Sequence, residues 1–172
     1  VKPKSTTNFG EKLGFDVSEV DLSDGTKVSG LNMLDVHTTF QVVWPIYKAS
    51  HLVTSEDLLV AFELGWAHWA RHPESVRCDA GPHFRATVEK FFKRLGIPIA
   101  PTAGEALRQN GDVEVAGRVW KRAFEKVVRD HSIGKKDQHF CTLAFTGPTR
   151  GHNRRTRKSG FSPLQWVLGR CL

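Results

Sequence analysis

The chain has 172 residues, a mass of 19.3 kDa and a mean hydropathy of −0.34. Apolar residues make up 40% and charged residues 25%, which excludes wholesale disorder and fits one folded unit of ordinary size. No apolar run approaches the ~20 residues of a membrane helix, so no membrane partner is expected. The start, Val1-Lys2-Pro3-Lys4-Ser5, has neither a signal-peptide core nor an initiating Met, so the sequence is expected to be a piece of a longer chain. The net charge is +7, and it is uneven: Arg150, Arg154, Arg155, Arg157 and Lys158 carry five positive charges within nine residues that contain no acid. Such a block suggests a polyanion partner or a solvated loop.

In chain order, Leu13, Phe15 and Val17 alternate with Gly14 and Asp16, the period of a strand. Ser23-Asp24-Gly25 is a hairpin signal. Val28 to Val36 is a second extended run, and His37-Thr38 turns the chain again. Phe40, Val42 and Trp44 form a third strand that Pro45 is expected to end. Thr54-Ser55-Glu56-Asp57 starts a helix with a capping hydroxyl and acids in its first turn. Leu58, Phe62, Gly65, Trp66 and Trp69 supply one buried face, and His72-Pro73 ends it.

Ser75 to Asp79 is a short strand, Phe84 to Leu95 a helix, and Ile97 to Ala100 another strand. A long helix is predicted from Val113 to about His131, its apolar stripe carried by Val113, Gly117, Trp120, Phe124 and Val127. A further helix spans about Lys135 to Phe145. Residues 147–160 read as a basic loop. Ser162-Pro163 then caps a short closing helix, within 161–172, that stops at Gly169. Three hairpin strands followed by alternating helices and strands describe a mixed-sheet α/β unit.

Three acids stand apart. Asp16 sits mid-strand, where Asp is disfavoured, on the face opposite Leu13, Phe15 and Val17. Asp79 ends a short strand, and Glu114 falls in what reads as the first turn of the long helix, after Asn110-Gly111. Strand ends and helix starts are where α/β folds place chemistry. Between Asp16 and Asp79 lie 62 residues, and between Asp79 and Glu114 lie 34. Cys78, Cys141 and Cys171 form no C-x-x-C pair, which suits a reducing compartment and offers no zinc knuckle. His68 and His72 have metal-pair spacing, but no third ligand accompanies them, which favours a surface or capping role.

At these motifs the chain resembles the catalytic core of retroelement integrases, the DDE group of the ribonuclease-H-like superfamily, and most of all copia-type LTR retrotransposon integrases. Gly14-Phe15-Asp16-Val17 resembles the first-strand motif. Leu34-Asp35-Val36-His37-Thr38-Thr39-Phe40 resembles the strand and turn after it. Cys78-Asp79-Ala80-Gly81-Pro82-His83-Phe84 resembles S-D-x-G-x-E-F, and Asn110-Gly111-Asp112-Val113-Glu114 resembles N-G-x-V-E. Gly160-Phe161-Ser162-Pro163 with Gly169-Arg170 resembles the closing G-x-S-P … G-R. The departures are Ala80, His83, Asp112 and Val115, where the family often carries other residues.

The resemblance implies a ribonuclease-H-like fold: a five-stranded mixed sheet, with a three-stranded antiparallel meander plus two parallel strands, and helices on both faces. One integrase catalytic core would fill residues 1–172, with its core at about 9–146. The implied activity is metal-dependent DNA 3′-end processing and strand transfer into target DNA. The implied site is Asp16, Asp79 and Glu114 holding two Mg²⁺ or Mn²⁺ ions. That chemistry is sound, because two hard cations ~3.5–4 Å apart activate one oxygen and stabilise another, and Mg²⁺ prefers carboxylate oxygens. Asp35 competes for the first Asp but matches a structural position in the family.

By the same resemblance Asn110 is a DNA-contacting loop residue. Arg118 and Lys121, one and two turns beyond Glu114, lie along a DNA end, with Arg122 nearby. Arg154, Arg155, Arg157 and Lys158 are further candidate DNA contacts. DNA and further copies of the chain are the implied partners, and a cytoplasmic particle and the nucleus the implied location. Two alternatives stand beside this reading: a catalytically decayed nucleic-acid-binding module of the same fold, and a ribonuclease-H-like nuclease with a fourth acid on its first helix, for which Glu56, Asp57 and Glu63 are the candidates.

Overall fold

The computed structural model describes residues 8–78, 82–100 and 106–169, the side chains of 82–87 and 106–110 excepted. β1 (Lys12–Asp21), β2 (Lys27–Asp35) and β3 (Gln41–Ile46) form the expected meander. The turn between β1 and β2 is set by local chemistry. Gly25 takes φ 76°, open to glycine without strain, and Asp24 Oδ1 accepts from the Thr26 amide at 2.9 Å. β4 (Ser75–Cys78) adds to the far side of β1 in parallel, giving the order β3-β2-β1-β4.

The described sheet therefore has four strands, where five were expected. The segment expected to be the fifth strand contributes one parallel bridge, Val76 with Ile99, closed by Val76 N to Pro98 O and Ala100 N to Val76 O. Pro98 has no N–H to extend the ladder. Pro45, expected to end β3, lies inside it opposite Gly30. β3 is an edge strand, where a missing donor costs no ladder bond.

Helices cover both faces. Thr54 caps α1 (Ser55–Phe62) through a capping box with Asp57. A π turn (Glu63–Ala67) follows, then α2 (His68–Ala70). The π turn rotates the stripe: Leu58, Phe62, Gly65 and Trp66 stay buried, whereas Trp69, expected to be buried, is 45% exposed. α3 is Pro82–Arg94. Leu13, Phe15, Leu31 and Met33 pack with Phe62, Trp66, Val88 and Phe92 into one core layer.

The other layer joins Val20, Val28 and Val43 to Trp120 and Phe124 of α4 (Ala106–His131) and Phe145 of α5 (Gln138–Arg154). Trp120 Nε1 donates to the Phe145 carbonyl at 3.0 Å, locking the two helices together. α5 is longer than expected and takes in Pro148, so residues 147–154 of the expected basic loop are helical. Its end is pinned by Asn153, which accepts from the Gln41 amide at 2.8 Å and donates to the Gln41 carbonyl at 2.7 Å. α6 (Pro163–Leu168) has Ser162 as N-cap, a proline in its first turn and left-handed Gly169 at its end, as expected.

One surface contact ties β1 to the turn before α1. Glu19 accepts from Lys27 Nζ at 2.7 Å and from the Ser50 amide at 2.7 Å. The Lys27 bond, then the Ser50 hydroxyl and amide, pull its carboxyl from 4.5 down to about 2. A depressed carboxyl pKa contributes stability that is complete above the ordinary value and is lost as pH falls through the folded one. Urea midpoints of the wild type and Glu19→Gln should therefore differ at pH 6 and converge between about 4.5 and about 2. A constant difference across that window would remove Glu19 as its source.

Candidate active site

The sheet face that carries Asp16 is the one under α4. Gly14, Asp16, Ser18 and Val20 alternate to that side, and two glycines let helix and strand meet. A Cβ on Gly14 would lie 2.3 Å from Val113 Cγ2. A Cβ on Gly117 would lie 3.1 Å from Asn32 Nδ2, 3.4 Å from Asp16 Oδ2 and 3.6 Å from Ser18 Oγ. The half-buried Asp16 carboxylate thus rests against the α4 backbone one turn beyond Glu114. Glu114 itself is exposed, on the flank of α4 next to that contact.

Asp79 lies outside the described residues. Its predecessor Cys78 pairs in parallel with Phe15, the predecessor of Asp16. Among the described residues no three His, Cys, Asp or Glu side chains cluster as metal ligands. His72 instead lies 3.5 Å from Glu63 and stacks on Phe62, the surface role favoured for it. Asp35, the competing first Asp, is fully buried in structural bonds. It accepts from the Gly10 amide at 2.9 Å and from the Thr38 amide and hydroxyl at 2.7 Å.

α4 begins at Ala106, so Glu114 is in its third turn, not its first. Asn110 accordingly has a helical backbone and is not in a loop; its side chain is outside the described set. Arg118 is exposed and shares the Glu114 flank with Lys121, which reaches Glu125 at 4.0 Å. Arg122, exposed and four residues after Arg118, is its neighbour along the same side of the helix. Arg154 closes α5, and Arg155 and Lys158 are exposed in the segment after it. Arg157 is half-buried, with Nη2 2.8 Å from His152 Nε2 and its amide donating to Phe161 O at 3.0 Å, so it also fixes this segment.

Two residues of this face went unnoticed in the sequence. Asn32, fully buried and opposite Asp16, donates to the Val113 carbonyl at 3.2 Å and accepts from Gln41 Nε2 at 2.9 Å. It ties β2 to the peptide that precedes Glu114. Arg77 is opposite Gly14 on β4, so it shares the site face. Burial lowers its pKa, and the Asp112 carboxylate on α4 opposes that shift. The signal for both was parity: a polar residue on a strand position that should meet a helix.

Asp16 on its strand and Glu114 on the adjoining helix would offer only oxygen donors, which suit a hard divalent cation better than a soft one. Gly117 keeps the Asp16 carboxylate in a space that any Cβ there would narrow.

No protein-family model matches the sequence, and no curated protein matches it. Solved structures do match the fold. The HTLV-2 integrase catalytic core domain in complex with magnesium, in its trimeric form, gives a TM-score of 0.72 at 17% identity, covering 92% of this chain and 97% of that one. The catalytic core domain of BIV integrase gives 0.68 at 16% identity, covering 93% and 95%. A chain of the simian T-cell lymphotropic virus intasome, in complex with PP2A regulatory subunit B56 gamma, gives 0.75 at 13% identity, covering 95% of this chain and 56% of that one. The chain thus shares its fold, a mixed α/β sheet with helices on both faces, with these integrase catalytic cores.

Proposed function

We propose that the chain is the catalytic core of a retroelement integrase of copia type, a DDE polynucleotidyl transferase. The observation that carries the proposal is Asp16: a carboxylate on a central strand, held against the helix that bears Glu114, with β4 leading to Asp79 in parallel beside it. In this reading Asp16 would be the shared ligand of two Mg²⁺ or Mn²⁺ ions, with Asp79 and Glu114 each holding one. The chemistry such ions would supply is activation of an attacking oxygen and stabilisation of a leaving one. The protein's part is to hold the three carboxylates in register and to seat the DNA end. Asn32 and Gln41 fix the α4 turn behind Glu114, and Gly14 and Gly117 set its distance from β1. DNA and further copies of the chain are the proposed partners; the HTLV-2 core is itself trimeric in one form.

The ribonuclease-H nuclease reading is less well supported. Asp57 is taken up by the Thr54 cap and by Lys48 at 2.8 Å, and Glu63 faces His72. All three candidate acids lie on α1 or its π turn, and that segment packs on the sheet face opposite Asp16.

A strand-transfer assay with Mg²⁺ tests the proposal. The wild type should join DNA ends and Asp79→Asn should not. Equal product from both would leave only a nucleic-acid-binding module or exclude this triad. The DNA-end surface has its own test. Arg118→Ala with Lys121→Ala should weaken binding of a DNA end and flatten the dependence of affinity on salt by roughly two counter-ions. An unchanged slope would remove both residues from the interface.

A further inference from the structure

A cleft of about 870 Å³ opens on the flank of α4 away from Glu114. Val115 and Val119 form one wall and Trp166 of α6 another, each about half exposed at 52%, 54% and 52%. Arg155, Arg157 and Lys158 line the same cleft, and Asp112 is its one acid among the described residues. The size is that of small-molecule sites, apolar walls with a few polar groups at one end. Its polar end is incompletely satisfied. Thr39 has φ 58°, rare for a residue with a branched Cβ, and its Oγ1 is buried without a hydrogen-bond partner among the described residues. Arg157 Nε is likewise buried with no hydrogen-bond partner among the described residues.

His152 stands between these two residues. Its Nε2 lies 2.9 Å from the Thr39 carbonyl and 2.8 Å from Arg157 Nη2. Burial lowers its pKa, with Arg157 and Arg155 adding to the fall against the Thr39 carbonyl. A neutral ring serves one of these partners through that nitrogen and leaves the other short. Strain, orphaned polar atoms and three cations beside an apolar wall recur where a ligand completes a site.

We infer that this cleft binds a small amphipathic anion, an aromatic or aliphatic body with one carboxylate, sulfonate or phosphate head. The body lies between Val115, Val119 and Trp166. The head meets Arg155 and Lys158, with Arg157 behind them. Of the residues assigned above to DNA, these cations take a second role. The inference does not rest on the integrase reading, because Arg118 and Lys121 occupy a different flank of α4.

The test is a fluorescence titration of the whole chain with anilinonaphthalene sulfonate, an apolar body with an anionic head. Saturable one-site binding is expected, with its uncharged counterpart phenylnaphthylamine bound at least about tenfold more weakly. Val119→Glu, at an exposed position, and the pair Arg155→Ala with Lys158→Ala should each weaken the sulfonate by a similar factor. Arg118→Ala with Lys121→Ala should leave it unchanged. Non-saturating binding, equal affinity for the uncharged probe, or indifference to Val119→Glu and to the Arg155/Lys158 pair would each overturn the site.

Discussion

Gly14→Ala should lower the stability of the folded chain by about 2 kcal/mol, within the range of overpacking a filled contact, or roughly 4–8 °C in Tm. The reason is one distance: the added Cβ would stand 2.3 Å from Val113 Cγ2, closer than two carbon atoms can approach. Val113 is buried with Leu34 and Ala116 under the early turns of α4, so it has little room to move away. α4 must then lift from β1, and the lift falls where Glu114 and Gly117 sit beside Asp16. Val113→Ala removes the colliding methyl groups. The double variant should therefore be more stable than the sum of the two single losses predicts, with a coupling of about 1 kcal/mol or more. Thermal unfolding of the four proteins measures it, and strict additivity would show that Gly14 is not needed for the close approach.

Asp16→Asn should abolish Mg²⁺-dependent strand transfer while leaving the fold intact. The substitution keeps the side-chain shape and removes the charge that a divalent cation requires. Loss of a supporting residue around a metal costs about 10–100-fold, so loss of a carboxylate proposed as a direct ligand should exceed about 100-fold. Asn32→Leu should cost less, because Asn32 acts through the Val113 carbonyl and not on the reacting groups. A circular-dichroism melt separates loss of chemistry from loss of fold. Activity in Asp16→Asn close to the wild type would show that Asp16 is not a metal ligand.

Much of the architecture was legible in the sequence because it follows local rules. Period-two alternation marked β1 and β3, an apolar extended run marked β2, Asp24-Gly25 marked the first turn, Thr54 and Ser162 marked two helix starts, and the parity of Asp16 put it on the face opposite Leu13, Phe15 and Val17. What was misread depended on partners distant in the chain. Asn110-Gly111 reads as a helix boundary, yet α4 runs through it; a glycine costs only about 1 kcal/mol in a helix, and Val113, Ala116 and Trp120 packed on the sheet outweigh that. Pro148 reads as a loop residue, yet α5 continues to Arg154 because Asn153 is bonded twice to Gln41. Pro45 reads as a stop, and only the strand order shows that β3 is an edge. Ile97 to Ala100 has strand composition, but Pro98 limits it to one bridge. Asn32 and Arg77 carry no motif, so their place beside Asp16 appears only in the register.

The most direct test of the proposed metal centre is a crystal of the chain soaked in Mn²⁺, with data collected at the manganese absorption edge. The account predicts anomalous peaks within coordination distance of the Asp16, Asp79 and Glu114 carboxylates, and, with DNA bound, a pair about 4 Å apart. Ions bound elsewhere, or an Asp16 carboxylate that contacts none of them, would contradict it.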